Sequence, residues 1–207
     1  MPLQNRVTPE GEIIVTPHRG LMMGNRGGAF HQPDRTIGRR RWATRQWIAC
    51  VLEFKGRHRE AMMQPNRYTE LFFLDEATAL SAGHRPCFEC RRADAQAFAN
   101  AWAKAKNSAV PHAPEMDLVL QAERLDGRAK RRHEMHVVPD GTVVALKSAP
   151  DIAYAVRGSH LLRWSAEGYS ERISRPQGAS VDVLTPPSIV GVLAAGFPPR
   201  WHPSAEL

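Results

Sequence analysis

Cysteine is scarce in this sequence, with three residues in a chain of 207. Three is a poor number for a disulfide framework, and it fits a reducing compartment. Long apolar runs are missing too. No stretch approaches the roughly 18 consecutive apolar residues of a membrane span. The opening Met1-Pro2-Leu3-Gln4-Asn5-Arg6 lacks the charged-then-apolar layout of a secretory signal. These absences predict a cytoplasmic protein with no membrane association. No P-loop, GxSxG elbow, HNH-like pair or nucleotide fingerprint occurs either, so no motif names an enzyme class. Acidic residues are outnumbered, 21 against 28 Lys and Arg, which leaves a net charge of +7. An excess of that size attracts polyanions, of which nucleic acid is the commonest.

The chain does have enough apolar residues, 43%, to bury a core. Its first 46 residues are rich in Gly, Arg and Pro and weak in periodic pattern. Apart from a short run at Glu12-Ile13-Ile14-Val15 that reads as a strand, they predict an irregular basic arm carrying Arg39, Arg40 and Arg41. From Trp47 to Lys55 the pattern alternates, placing Ile48, Cys50, Leu52 and Phe54 on one face of a half-buried strand. A second strand is expected over Tyr68 to Phe73. Asp75 then caps a helix from Glu76 to Ala82, closed by Gly83. Further helices are expected over Arg92 to Lys106, Glu115 to Asp126 and Ile189 to Ala195. The region after His133 reads as mostly β, with Pro139-Asp140-Gly141 joining His136-Val137-Val138 to Thr142–Leu146 as a hairpin.

Cys87 and Cys90 sit in Arg85-Pro86-Cys87-Phe88-Glu89-Cys90-Arg91. Two cysteines at this spacing lie on a tight turn that aims both sulfurs at one point, and tetrahedral zinc takes thiolates at about 2.3 Å. Redox dithiols share the spacing, and inert buried thiols are the blandest alternative. A redox pair, however, opens a helix after a strand, whereas here a helix ends just before the pair. Zinc is therefore the expected cofactor. Cys50 reads first as a core cysteine on its strand face, and as a further ligand if the strand bends. His84, His133 and His136 read as packed or solvated histidines before they read as ligands.

The stretch Leu71-Phe72-Phe73-Leu74-Asp75-Glu76-Ala77-Thr78-Ala79-Leu80-Ser81-Ala82-Gly83-His84-Arg85-Pro86-Cys87-Phe88-Glu89-Cys90-Arg91 resembles the second half of the metal-binding domain of the Ada DNA-repair family. The resemblance covers about twenty residues strongly and Trp47 to Arg92 loosely. It implies a small zinc-centred hairpin and helix working against the DNA backbone. The family's first cysteine pair is missing: its spacing lands on Gly56-Arg57-His58-Arg59-Glu60, where His58 is the one plausible ligand. Methyl transfer from DNA, which the family performs with a thiolate of that pair, is not implied here.

The expected fold is α+β: a basic arm over 1–46, a zinc module over 47–107 and a β-rich region over 108–207. The expected metal ligands are Cys87, Cys90, His58 and Cys50. Arg39, Arg40, Arg41, Lys55, Arg57, Arg59, Arg85, Arg91 and Arg92 are expected to face DNA. The expected function is zinc-dependent DNA binding in repair or regulation. A metal-dependent nuclease is the alternative from another class, and a structural zinc domain for protein or small-molecule binding is a third.

Overall fold

In the computed structural model, residues 1–56, 61–126 and 132–206 are described, those at 132–134 by backbone alone. The first half supplies strands β1 (Gln4–Val7), β2 (Ile13–Val15), β3 (Met22–Arg26), β4 (Trp47–Val51) and β5 (Leu71–Phe73). Helix α1 (Glu76–Ser81) and the two-residue strand β6 (Arg85–Pro86) follow. Helices α2 (Arg92–Lys106) and α3 (Ala113–Leu125) lead into β7 (Arg132–Glu134), β8 (Val143–Leu146), β9 (Ala149–Arg157), β10 (His160–Trp164), β11 (Tyr169–Ser174) and β12 (Ser180–Val183). Helix α4 (Pro187–Ala194) comes last. Among the described residues the fold is α+β, with two six-stranded sheets ordered β2-β1-β5-β3-β4-β6 and β11-β10-β9-β8-β12-β7.

The segment expected as an irregular arm is built into the first sheet. Its strands β1 and β3 flank β5, in parallel and antiparallel pairing respectively. The long stretch after β3 is irregular, with a single bridge between His31 and Ile37. Gly24 makes the close approach of β3 to β4 possible, because a Cβ there would lie 2.1 Å from the Ile48 carbonyl oxygen. A second expectation also fails. The residues 135–137 form a 3-10 turn, and β8 pairs with β9 and β12, so the Pro139-Asp140-Gly141 turn joins no hairpin.

Helices α2 and α4 pack together with α3 over a core of Leu80, Phe98, Trp102, Leu120, Ile189 and Val192. A second core lies inside the C-terminal sheet around Met135, Val144 and Val156. The halves meet at a third, where Leu74 packs with Val143, Ala153, Leu162 and Tyr169. Burying each Leu, Ile, Val or Phe of these cores stabilises by about 1.5–3 kcal/mol. Asp75 adds a polar tie at the same junction. Its Oδ1 accepts from the Thr78 amide and hydroxyl, each at 2.9 Å, and its Oδ2 accepts from the Tyr169 hydroxyl at 2.9 Å and the His202 amide at 3.1 Å.

Candidate metal centre and its surroundings

The local pairing of β4 with β6 brings the three cysteines together. The two strands run parallel, with Ile48 opposite Arg85 and Ala49 opposite Pro86. The register continues one step further as the Cys87 amide donates to the Ala49 carbonyl at 3.0 Å. Cys50 and Cys87 thereby become neighbours on adjacent strands. The chain then turns through Phe88 and Glu89, closed by the Arg91 amide on the Cys87 carbonyl at 3.0 Å, and this returns Cys90 to the same place. The sulfurs of Cys50, Cys87 and Cys90 all lie within 4.8 Å of one another.

That separation suits a shared ion, since zinc–sulfur bonds of about 2.3 Å in a tetrahedron put sulfurs about 3.8 Å apart. The donor set is soft and fits a thiophilic cation. The electrostatics agree. The thiols of Cys50 and Cys90 donate to Cys87, which is pulled down to about 2, and the Glu89 amide approaches its sulfur at 3.4 Å. Cys50 is pushed up because it donates to both of the others and is half-buried. Cys90 accepts from Cys50 and gives to Cys87, and ends above its ordinary value. The positive end of α2 begins directly after Cys90, which favours thiolate there. A thiophilic divalent cation would displace the thiol protons and take the three sulfurs as thiolates.

Cys50 is the less expected member of this cluster. The face of β4 that carries the core is Trp47 and Ala49, while Ile48 and Cys50 are half-buried on the other side. The face read from the alternation as core is thus the one that looks onto the cysteines. His58, Arg57 and Arg59 lie outside the described residues, as do Glu60, the basic run at 128–131 and the side chain of His133.

Two of the arginines expected to face DNA do not. Arg85 is 2% exposed and forks onto Asp117 of α3, Nε to Oδ1 at 2.8 Å and Nη2 to Oδ2 at 2.7 Å. Arg91, 4% exposed, meets Glu76 at 2.6 Å and Asp94 at 2.9 Å. Both guanidiniums are engaged by carboxylates of the fold, Arg85 by the buried Asp117 and Arg91 by the buried Glu76 and the part-exposed Asp94. Arg39, Arg40, Arg41, Lys55 and Arg92 are exposed. Arg40 also donates to the Trp42 and Ala43 carbonyls. Glu70, within the segment expected as the second strand, is buried and accepts from the Met63 amide at 2.7 Å.

Behind the cysteine turn, His84 is fully buried between Trp47 and Phe73, with ring centroids 5.1 and 4.7 Å away. Its Nε2 accepts from Arg26 Nε at 3.4 Å. Arg26 and Arg124 both lie over the Trp47 ring, at 3.9 and 4.4 Å from its centroid. Burial first, and then the charges of Arg26 and Arg124, hold the His84 pKa well below 6.5. The unfolded chain takes up that proton while the folded one does not. Stability is therefore full above about pH 6.5 and falls as the pH drops below it. His84→Phe is expected to flatten this acid limb in urea titrations at several pH values. A limb of unchanged slope would show that another group carries it.

Sequence reasoning missed the partners Asp117 and Glu76, because nothing in the local pattern distinguishes an arginine bound for the core from a solvated one. Among the described residues, no helix is long and apolar enough to cross a membrane. Compared with known proteins, the chain matches no family model, no curated protein and no solved structure, so the reading of this centre rests on its own residues.

Proposed function

We propose that this chain is a zinc protein of the reducing cytoplasm that holds the ion on Cys50, Cys87 and Cys90 and binds the backbone of DNA through its exposed basic residues. The convergence of three sulfurs from two segments 37 positions apart carries the reading. The ion would be structural in the first place, locking the β4–β6 pairing and the turn before α2 into one small zinc-centred unit. A role in DNA repair or regulation follows the Ada-like stretch that contains the cysteine pair.

Basic residues flank β4 at both ends. Arg39, Arg40 and Arg41 precede it, near the point where the Arg41 carbonyl accepts from Arg26, and Lys55 follows it. Arg92 opens α2 directly after the cysteine turn. Contacts of these side chains with phosphate would give affinity without sequence readout.

Fluorescence anisotropy with a labelled duplex tests the reading. Affinity is expected to fall steeply with added salt, and Arg39→Ser with Arg92→Ser should reduce the slope of log K against log salt by about 0.9 for each phosphate no longer neutralised. Binding that is absent at low salt would remove the DNA part of the proposal and leave the metal part standing. A second reading has its own support: the commitment of Arg85 and Arg91 to buried carboxylates favours a zinc that staples a domain for other partners. A nuclease reading has less, because among the described residues no group of three or more His, Asp and Glu side chains converges.

A further inference from the structure

A cavity of about 120 Å³ opens against the cysteine cluster. Cys50, Cys87 and Cys90 all form part of its wall, together with Asn25, Leu52, Phe54, Tyr68 and Glu89. A single water needs about 10–15 Å³ of such space, so the cavity holds several waters or one small organic molecule. Among the described residues no fourth His, Cys, Asp or Glu atom joins the three sulfurs.

We infer that an ion held by these three thiolates has its fourth position open to this cavity, and that it takes an exchangeable small neutral donor ligand there. This rests on the metal-centre reading above.

Three observations shape the inference. The three cysteines all line one cavity, so a fourth ligand to an ion held by them would have room to enter from that side. Three protein ligands with an open fourth position is the arrangement of zinc sites that exchange ligands, whereas sites that only staple a fold are closed by four. Charge then selects the ligand. A divalent ion with three thiolates would carry a net negative charge. An anion would enter against repulsion, while water or a neutral nitrogen donor would not. Leu52, Phe54 and the neighbouring Ile48 and Val51 offer an apolar wall for a short carbon body.

The experiment uses the full chain with cobalt(II) in place of zinc, which makes the coordination visible. A sulfur-to-cobalt charge-transfer band reports the thiolates, and the ligand-field bands report the fourth position. Imidazole is the neutral probe and azide the anionic comparison. Expected is a saturable, one-to-one change of the ligand-field bands with imidazole, a much weaker response to azide, and an unchanged sulfur band. Leu52→Trp, which fills the cavity, should abolish the imidazole response and keep the sulfur band. His58→Ala should respond as the wild type does. An unresponsive wild type beside a responsive His58→Ala would overturn the inference, because His58 would then close the site in the native protein. Wild type and His58→Ala both unresponsive, with the sulfur band present, would overturn it as well while leaving the metal centre intact. Absence of the sulfur band would overturn the metal centre and this inference together.

Discussion

Asp117→Ala is expected to cost about 3–5 kcal/mol of fold stability, because it leaves the Arg85 guanidinium buried without its counter-charge. Both partners are nearly inaccessible, with side chains 2% and 4% exposed, and the fork is bidentate. Water therefore has little room to replace the carboxylate. The location makes the effect reach beyond stability. Arg85 belongs to β6, whose pairing with β4 aligns Cys87 beside Cys50. A relaxed Arg85 would shift that register, so the variant should also lose metal more readily to a chelator. Urea denaturation and chelator competition read the two effects separately. Replacing the pair together, Arg85→Met with Asp117→Leu, removes charge without orphaning it and should recover most of the stability. A loss below about 1 kcal/mol in Asp117→Ala would mean that Arg85 finds another acceptor or reaches solvent.

Cys50→Ser is expected to strip the protein of zinc as fully as Cys87→Ser does. Removing either sulfur leaves two thiolates, and a hydroxyl oxygen is a poor substitute for a soft donor. Elemental analysis of protein purified without chelators provides the measurement, with His58→Ala as a third sample. Because binding free energy at a structural zinc is folding free energy, both variants should also melt lower than the wild type, and the wild type should melt lower after chelation. Full zinc content in Cys50→Ser would return Cys50 to the role of a core cysteine. That outcome would leave Cys87 and Cys90 to find other ligands.

Much of the local structure was legible because local chemistry determines it. Asp75 as a cap followed by Gly83 at φ +82 encloses α1 as expected, and the apolar stripe of Phe98, Ala101 and Trp102 marks α2 at its observed limits. The Cys87–Cys90 pair announced itself by spacing. The third cysteine was harder, since alternation reveals which residues share a face but not which face is inward. Trp47 and Ala49 turned out to be the buried set. The first sheet was harder still. Strands β1 and β3 are short, carry Arg and Gly, and are held by neighbours from distant sequence, so neither propensity nor period marks them. The fate of Arg85 and Arg91 depended on carboxylates that only tertiary packing brings close, Asp117 at 32 positions away and Glu76 on the preceding helix.

The four donors around Asp75 have a consequence for how the chain comes together. Two belong to its own helix and form as soon as α1 does, but the His202 amide lies 127 residues further along and the Tyr169 hydroxyl 94. During synthesis the first sheet must wait, with a half-satisfied carboxylate, for the final stretch of chain to arrive. Trp164 behaves alike, reaching back to the Thr78 hydroxyl at 3.1 Å. A carboxylate stranded in an apolar junction penalises every partly assembled state that excludes water from it. The two sheets are thereby made to commit together, and a chain broken between them would give neither half a finished interior.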